Sequence, residues 1–227
     1  MIVVTGFKWV PPFAQGQVRD HRVRWMLEEV GLPYEVRLID AVEQKSEAYR
    51  LDQPFGQVPT MAEPGHPTLF ESGAIVLDLA LRTGQLLPAD EGMRALCLSW
   101  YFAALNSVEP ALQALTLVEF FTRDEADRDA RRPSARRFAE QRLGELQAGL
   151  GERAFAVGDG FTIADLMLAS ILKIAASLEI LADYPALAAY QARHLARPAY
   201  AKVHAEQIAT YAAHGPRDMR YREAGVG

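Results

Sequence analysis

The sequence predicts a two-part fold, an α/β first part ending near residue 84 and an all-α second part from residue 92 onward. Three observations carry this. The opening eighty-odd residues alternate short apolar runs with helical periodicities. A segment rich in glycine and proline, GQLLPADEG, follows and reads as a linker over 85–91. Beyond it the only strong periodicity is helical.

IVVT is a short buried strand by composition, directly after Met1. From Asp20, apolar residues recur at Val23, Met26, Leu27 and Val30, one face of a helix. Asp20 is the expected N-cap, Gly31 the C′ residue, and Pro33 forbids continuation. Tyr34, Val36 and Leu38 then alternate with Glu35, Arg37 and Ile39, a strand with one face better buried. This β-α-β opening implies a right-handed crossover. EQKSEAYRL is a short helix candidate. VPTM and TLF are short strands separated by the turn signal EPGHP, and ESGAIVLDLALRTG is an apolar helix ended by Gly84.

In the second part, helices are expected over 92–121, 134–150, 162–178, 184–195 and 198–210. The charged run RDEADRDARRPSARR (123–137) reads as a solvated loop or helix end, and the tail after His214 as loosely ordered. FTIADL has capping-box spacing, with Thr162 as cap and Asp165 reaching back to the first turn.

The chain has 227 residues, half of them hydrophobic, with a formal net charge of −5 and one cysteine. One cysteine excludes an intrachain disulfide or a dithiol redox pair. The net charge disfavours nucleic acid and anionic membranes as partners. The start, MIVVTGFKW, lacks a basic segment followed by an apolar core, and no apolar run approaches a membrane span. A cytoplasmic protein is therefore expected. Cys97 lies among Leu96, Leu98 and Trp100 and reads as a core thiol, and the five histidines show no metal-ligand spacing, so no metal is expected.

Two motifs suggest a ligand. In QVPT, Pro59 cannot donate to a ladder, so it marks either a plain edge strand or, with a cis bond, a bend. Such a bend turns the Val58 backbone outward to pair with an extended peptide. In ESGA, an acid and a hydroxyl sit at a helix start. Ser72 is either a simple cap or, with the helix dipole, a carboxylate site beside Glu71, which can accept an ammonium.

These pieces in this order resemble the cytosolic glutathione transferase family. The resemblance rests on RVRWMLEEVGLPYE (22–35), QPFGQVPT before ESGAIVLDLA, DGFTIADLMLA (159–169) and ARPAYAKV (196–203). It implies a thioredoxin-like glutathione-binding domain over 1–84, an all-helical domain over 92–227 holding a co-substrate site, and a homodimer. It implies that glutathione is the co-substrate of a transferase acting on a small hydrophobic electrophile, or the reversible nucleophile of an isomerase, lyase or peroxidase variant. Gln57, Val58 and Pro59 would meet the cysteinyl part of glutathione, and Glu71 with Ser72 its γ-glutamyl end.

The chain departs from the family at the thiol activator. The usual Ser or Cys positions fall on Gln17, Val18 and Arg19, and Gly6 to Gly31 contains no Ser, Thr, Tyr or Cys. Arg19 is one catalytic candidate, since a guanidinium stays charged and donates well. Amides at the start of the first helix, Thr5, or the Trp9 indole N–H are the others. Trp9, Phe13 and Trp100 are candidate walls of a co-substrate pocket, and Tyr101, Phe120 and Phe121 could join them, although such spacing also suits core packing. The missing hydroxyl keeps a second reading open, a glutathione-binding or interaction protein of the same fold with little chemistry.

Overall fold

The computed structural model describes residues 1–216. Most of the tail after His214 therefore lies outside the described residues. The chain forms two compact units, Met1–Gln85 together with the chain from Arg197 onward, and Leu86–Ala196.

The first unit is built on a four-stranded sheet of order β2-β1-β3-β4, with β1 Ile2–Phe7, β2 Tyr34–Ile39, β3 Thr60–Ala62 and β4 Leu69–Phe70. β1 runs parallel to β2 and antiparallel to β3, and β3 is antiparallel to β4. The parallel pair needs a crossover. Helix α1, Asp20–Val30, supplies it. It ends as expected: Gly31 takes a φ of 70°, its N–H returns to the Glu28 carbonyl at 3.4 Å, and the Leu32 N–H to the Leu27 carbonyl at 3.0 Å. Both bonds belong to a glycine-based helix stop. Two short helices, α2 Ala41–Gln44 and α3 Glu47–Asp52, replace the single one expected, because Ser46 caps the second through the Tyr49 N–H. Helix α4, Ser72–Thr83, follows β4 directly. Val4, Val23, Met26, Leu27, Ile75, Val76 and Leu79 are buried between sheet and helices.

Asp20 is not the cap of α1. Arg19 holds the N-cap position and the Asp20 carboxylate is buried instead. Its environment comes from the end of the chain. Helix α10, Pro198–Ala213, packs on α1 within this unit. Glu206 pairs with Arg24 at 2.9 Å, Arg197 grips Glu29 through two bonds of 2.6 and 2.7 Å, and Lys202 meets Glu28. Tyr200 lies edge-on to Trp25. So α1 buries two faces, an apolar one on the sheet and a charged one under α10. Periodicity reports only the first, because the second is written in residues that usually face solvent.

The second unit is helical. One continuous helix runs from α5, Glu91–Ala103, through a π-helical turn at Ala104–Val108 into α6, Glu109–Thr116, and a second π-helical turn at Leu117–Phe121. Helix α7, Glu125–Leu150, includes the charged run expected as loop or helix end, with Pro133 inside it. Spaced ion pairs explain this: Arg131 with Asp127, Arg132 with Asp129 and Glu119, and Arg136 with Glu140. Each is weak, but in series they favour helix over loop.

Helix α8, Ile163–Ser177, is the buried axis of this unit, and α9, Pro185–Leu195, packs against it. Asp165 reaches back to the Thr162 N–H at 2.8 Å, as its spacing predicts. It also accepts from the Thr162 hydroxyl, the Ala156 N–H and the Tyr190 hydroxyl. Cys97 is fully buried, and burial raises its thiol pKa. Among the described residues no helix is long and apolar enough to cross a membrane.

Candidate functional site

Strand register brings the ligand motifs together. Val4 pairs with Met61 across β1 and β3, which sets Thr5 opposite Thr60, and Thr60 pairs with Phe70 across β3 and β4. The end of β1, the Val58–Pro59 segment and the Glu71–Ser72 corner therefore share one end of the sheet. The start of α1 lies there too, because a Cβ on Gly6 would sit 3.1 Å from Asp20 Oδ2. Glycine at position 6 lets the helix start approach the strand this closely.

The Val58–Pro59 bond is cis. Neither the N–H nor the carbonyl of Val58 hydrogen-bonds to another described residue. Unpaired backbone groups at a sheet end are a template for an added extended segment. Gln57 is exposed, and its carbonyl accepts from the Tyr49 hydroxyl at 2.7 Å. Tyr49 is buried, and burial raises its pKa.

Ser72 is not the cap of α4 but its first residue, and it is buried. Glu71 occupies the cap position with no side-chain cap bond and a φ of 67°. A side chain bearing this backbone conformation is uncommon, and such residues cluster at functional sites. The first bond of the helix runs from the Ile75 N–H to the Glu71 carbonyl at 3.0 Å. The amides of Ser72 and Ala74 precede it in the first turn, beside the Ser72 hydroxyl. Exposed Glu71 sits next to them. The corner thus offers donors for a carboxylate and an acceptor for an ammonium side by side.

Thr5 has a different place from the one expected of an activator. It is buried; its Oγ1 accepts the Thr60 N–H at 2.7 Å and contacts the hydroxyls of Tyr49 and Thr60 at 3.1 Å each. Tyr49 spends its proton on Gln57, so Thr5 donates to Tyr49 and accepts from Thr60. One donor and two lone pairs are then filled. Thr5 has no proton left for a ligand and acts as an anchor for the segment around Pro59. Sequence reasoning missed Tyr49 and Thr60, and nothing in their local pattern marks them. They matter only through β1.

Arg19 is half-buried at the start of α1, and its carbonyl accepts the Arg22 N–H at 3.1 Å. Trp9 is half-buried and Phe13 is 39% exposed in the loop between β1 and α1, where Pro12–Ala14 forms a short 3-10 turn. Trp100 belongs to the second unit and is engaged there. The Arg153 guanidinium lies 5.7 Å from its ring centre, and Gly149 lacks the Cβ that would crowd it. Tyr101 is fully buried, whereas Phe120 and Phe121 are exposed.

Two family models match in tandem, the glutathione S-transferase N-terminal domain over residues 20–81 and the C-terminal domain over 96–198. The chain belongs to the glutathione S-transferase family. The first match begins at Asp20, so the loop before α1 lies outside it. Among solved structures, a glutathione transferase from Burkholderia graminis with two glutathione molecules bound per subunit is 26% identical. It aligns over 89% of this chain and 87% of its own, with a TM-score of 0.78. A disulfide-bond oxidoreductase of Escherichia coli is 35% identical over 102 residues, covering 40% of this chain and 46% of that protein. A stringent starvation protein A homolog of Coxiella burnetii is 27% identical over 68% of this chain and 70% of its own length. The chain thus spans less than half the length of the oxidoreductase it matches. The mixed sheet followed by a helical unit is the family fold.

Proposed function

We propose that the chain binds glutathione at the sheet end described above and holds its thiol as a thiolate for attack on a small apolar electrophile. The observation that carries the reading is the convergence of three segments there: the open Val58 backbone, the Glu71–Ser72 corner and the start of α1. Glutathione is an extended peptide with a free amino acid group at its γ-glutamyl end, which matches an open peptide edge beside an acid and a helix start. The cysteinyl part pairs with Val58, flanked by Gln57 and Pro59. The γ-glutamyl carboxylate takes the Ser72 hydroxyl and helix amides, and its ammonium takes Glu71.

In this reading Arg19 supplies the activating charge, with the amides of the α1 start. The thiol gives its proton to water and the thiolate forms an S–C bond. The leaving group departs with the bonding pair. Lowering a thiol pKa by two units requires about 2.7 kcal/mol of differential stabilisation, within reach of a close guanidinium plus an amide. Trp9 and Phe13 contribute apolar wall on the electrophile side. The family leads us to propose a homodimer acting in the cytoplasm, with residues 1–84 as the glutathione-binding domain and the helical domain after the linker supplying the co-substrate side.

A second reading, glutathione binding with little chemistry, is favoured by the absence of hydroxyl and thiol side chains between Gly6 and Gly31. Ultraviolet thiolate absorbance of bound glutathione across pH separates the two. A depressed thiol pKa that returns to the free value in Arg19→Ala, with glutathione affinity retained, supports the transferase. An unshifted thiol in the unsubstituted protein sinks it and leaves the binding protein.

A further inference from the structure

We propose that Gln207, on the last helix, is a positioning residue for thiol activation, acting through Arg19. The inference rests on the role given to Arg19 above.

Gln207 is 2% exposed, and its amide nitrogen donates in two directions. One bond goes to Asp20 Oδ1 at 2.7 Å and the other to the Val18 carbonyl at 3.4 Å. These are the residues on either side of Arg19, so one side chain of α10 holds both flanks of the candidate activator. The Val18 carbonyl also accepts the His21 N–H at 3.3 Å and His21 Nδ1 at 2.7 Å, with Nδ1 the donor because a carbonyl only accepts. Two residues earlier, Gly16 takes a φ of 76° and lies against His204, where an added Cβ would be 3.0 Å from the ring. His204 in turn stacks on Tyr200 at 5.6 Å. Residues 16, 18 and 20 are thus laid along α10, with Arg19 carried between fixed points.

Gln207 is separable from the docking of the helix. Arg197, Lys202 and Glu206 tie α10 to Glu29, Glu28 and Arg24, all beyond the first turn of α1. Those pairs persist when Gln207 is changed. What changes is the hold on the two residues beside Arg19. A charge stabilises a thiolate by an amount that falls with distance, so a looser Arg19 backbone weakens activation without removing the glutathione site.

The test is Gln207→Met, which keeps the length of the side chain and removes the donor. The full chain is titrated with glutathione and its thiolate absorbance followed against pH. The expected result is a thiol pKa about one unit higher, a roughly threefold smaller thiolate fraction at neutral pH for a thiol lowered by two units, with the glutathione Kd within about twofold. In an Arg19→Ala background the same substitution shifts the thiol no further, because both changes act through one group. A merely structural role does not produce that non-additivity. Gln207→Glu, which keeps shape and polarity, stands in if Gln207→Met does not fold, with the same thiol shift expected where its carboxyl is ionised. An equal shift with and without Arg19, or none with it, overturns the positioning role while leaving thiol activation intact. A thiol unshifted in the unsubstituted protein overturns both.

Discussion

The Thr5 hydroxyl receives the Thr60 N–H at 2.7 Å, tying the centre of the sheet to the residue that follows Pro59. This bond sets the height of the open Val58 backbone relative to β1, which leads into the loop before α1. Thr5→Val, nearly isosteric, leaves the Thr60 N–H and the Tyr49 hydroxyl short of partners. The expected cost is about 2 kcal/mol, a fall in melting temperature of about 4–8 °C. Glutathione affinity falls with it, while the pKa of whatever thiol still binds stays depressed. A thiol returning to its free value in Thr5→Val would reinstate Thr5 as activator.

Glu71 combines a left-handed backbone with a proposed binding role, so the two separate on substitution. Glu71→Gly relieves the positive φ and is expected to raise stability by about 1 kcal/mol in urea unfolding. It also removes the acceptor for the glutathione ammonium and raises the glutathione Kd about tenfold or more. Calorimetric titration and unfolding on one sample check both directions. Ser72→Ala, by contrast, is expected to weaken glutathione binding with little effect on stability, since the Ser72 side chain is not the helix cap. Unchanged binding in both variants would remove this corner from the glutathione site.

Burial pushes the Asp20 carboxyl up to about 6, against the pull of Arg24 and Gln207. Tyr211 of α10 stays neutral beside it, because burial raises its phenol pKa, and Glu206 shares Arg24. A carboxyl with a folded pKa above its unfolded value binds its proton more tightly in the folded state. Its contribution is therefore full below about pH 4 and is lost as pH rises through 6. The expected loss is about 3 kcal/mol over that window. Urea midpoints measured from pH 4 to 7 should fall in the parent and run flatter in Asp20→Asn. Parallel curves would place the pH dependence elsewhere.

Asp165 serves four donors with one buried carboxylate, the Thr162 N–H and hydroxyl, the Ala156 N–H and the Tyr190 hydroxyl. Asp165→Ala strands all of them inside the helical unit. A loss on the order of 3–5 kcal/mol is expected, well above the roughly 1 kcal/mol of an ordinary helix cap. A loss near 1 kcal/mol would mean the buried donors find other partners.

Much of the fold was legible because its signals are local. The apolar spacing of Val23, Met26, Leu27 and Val30, the Gly31 stop and the Thr162–Asp165 capping pair each lie within a turn or two of chain. The run at 123–137 misled for a related reason. Charge alone says solvent, and only its spacing of three and four residues says helix. Both candidate ligand motifs, Val58–Pro59 and Glu71–Ser72, were visible as peculiar residues. Their meeting at one sheet end was not, because register is a relation between strands.

The sequence by itself determined the two-part order, the family and the lack of a hydroxyl or thiol where an activator is expected. All three are properties of composition and of spacing along one segment. Only the tertiary structure decided that Thr5 is an anchor, that Asp20 is buried rather than a cap, and that Gln207 reaches Val18 and Asp20 from the far end of the chain. Those outcomes depend on which distant groups share a buried space. A hydrogen bond between residues nearly two hundred positions apart leaves no periodic trace in the segments that make it.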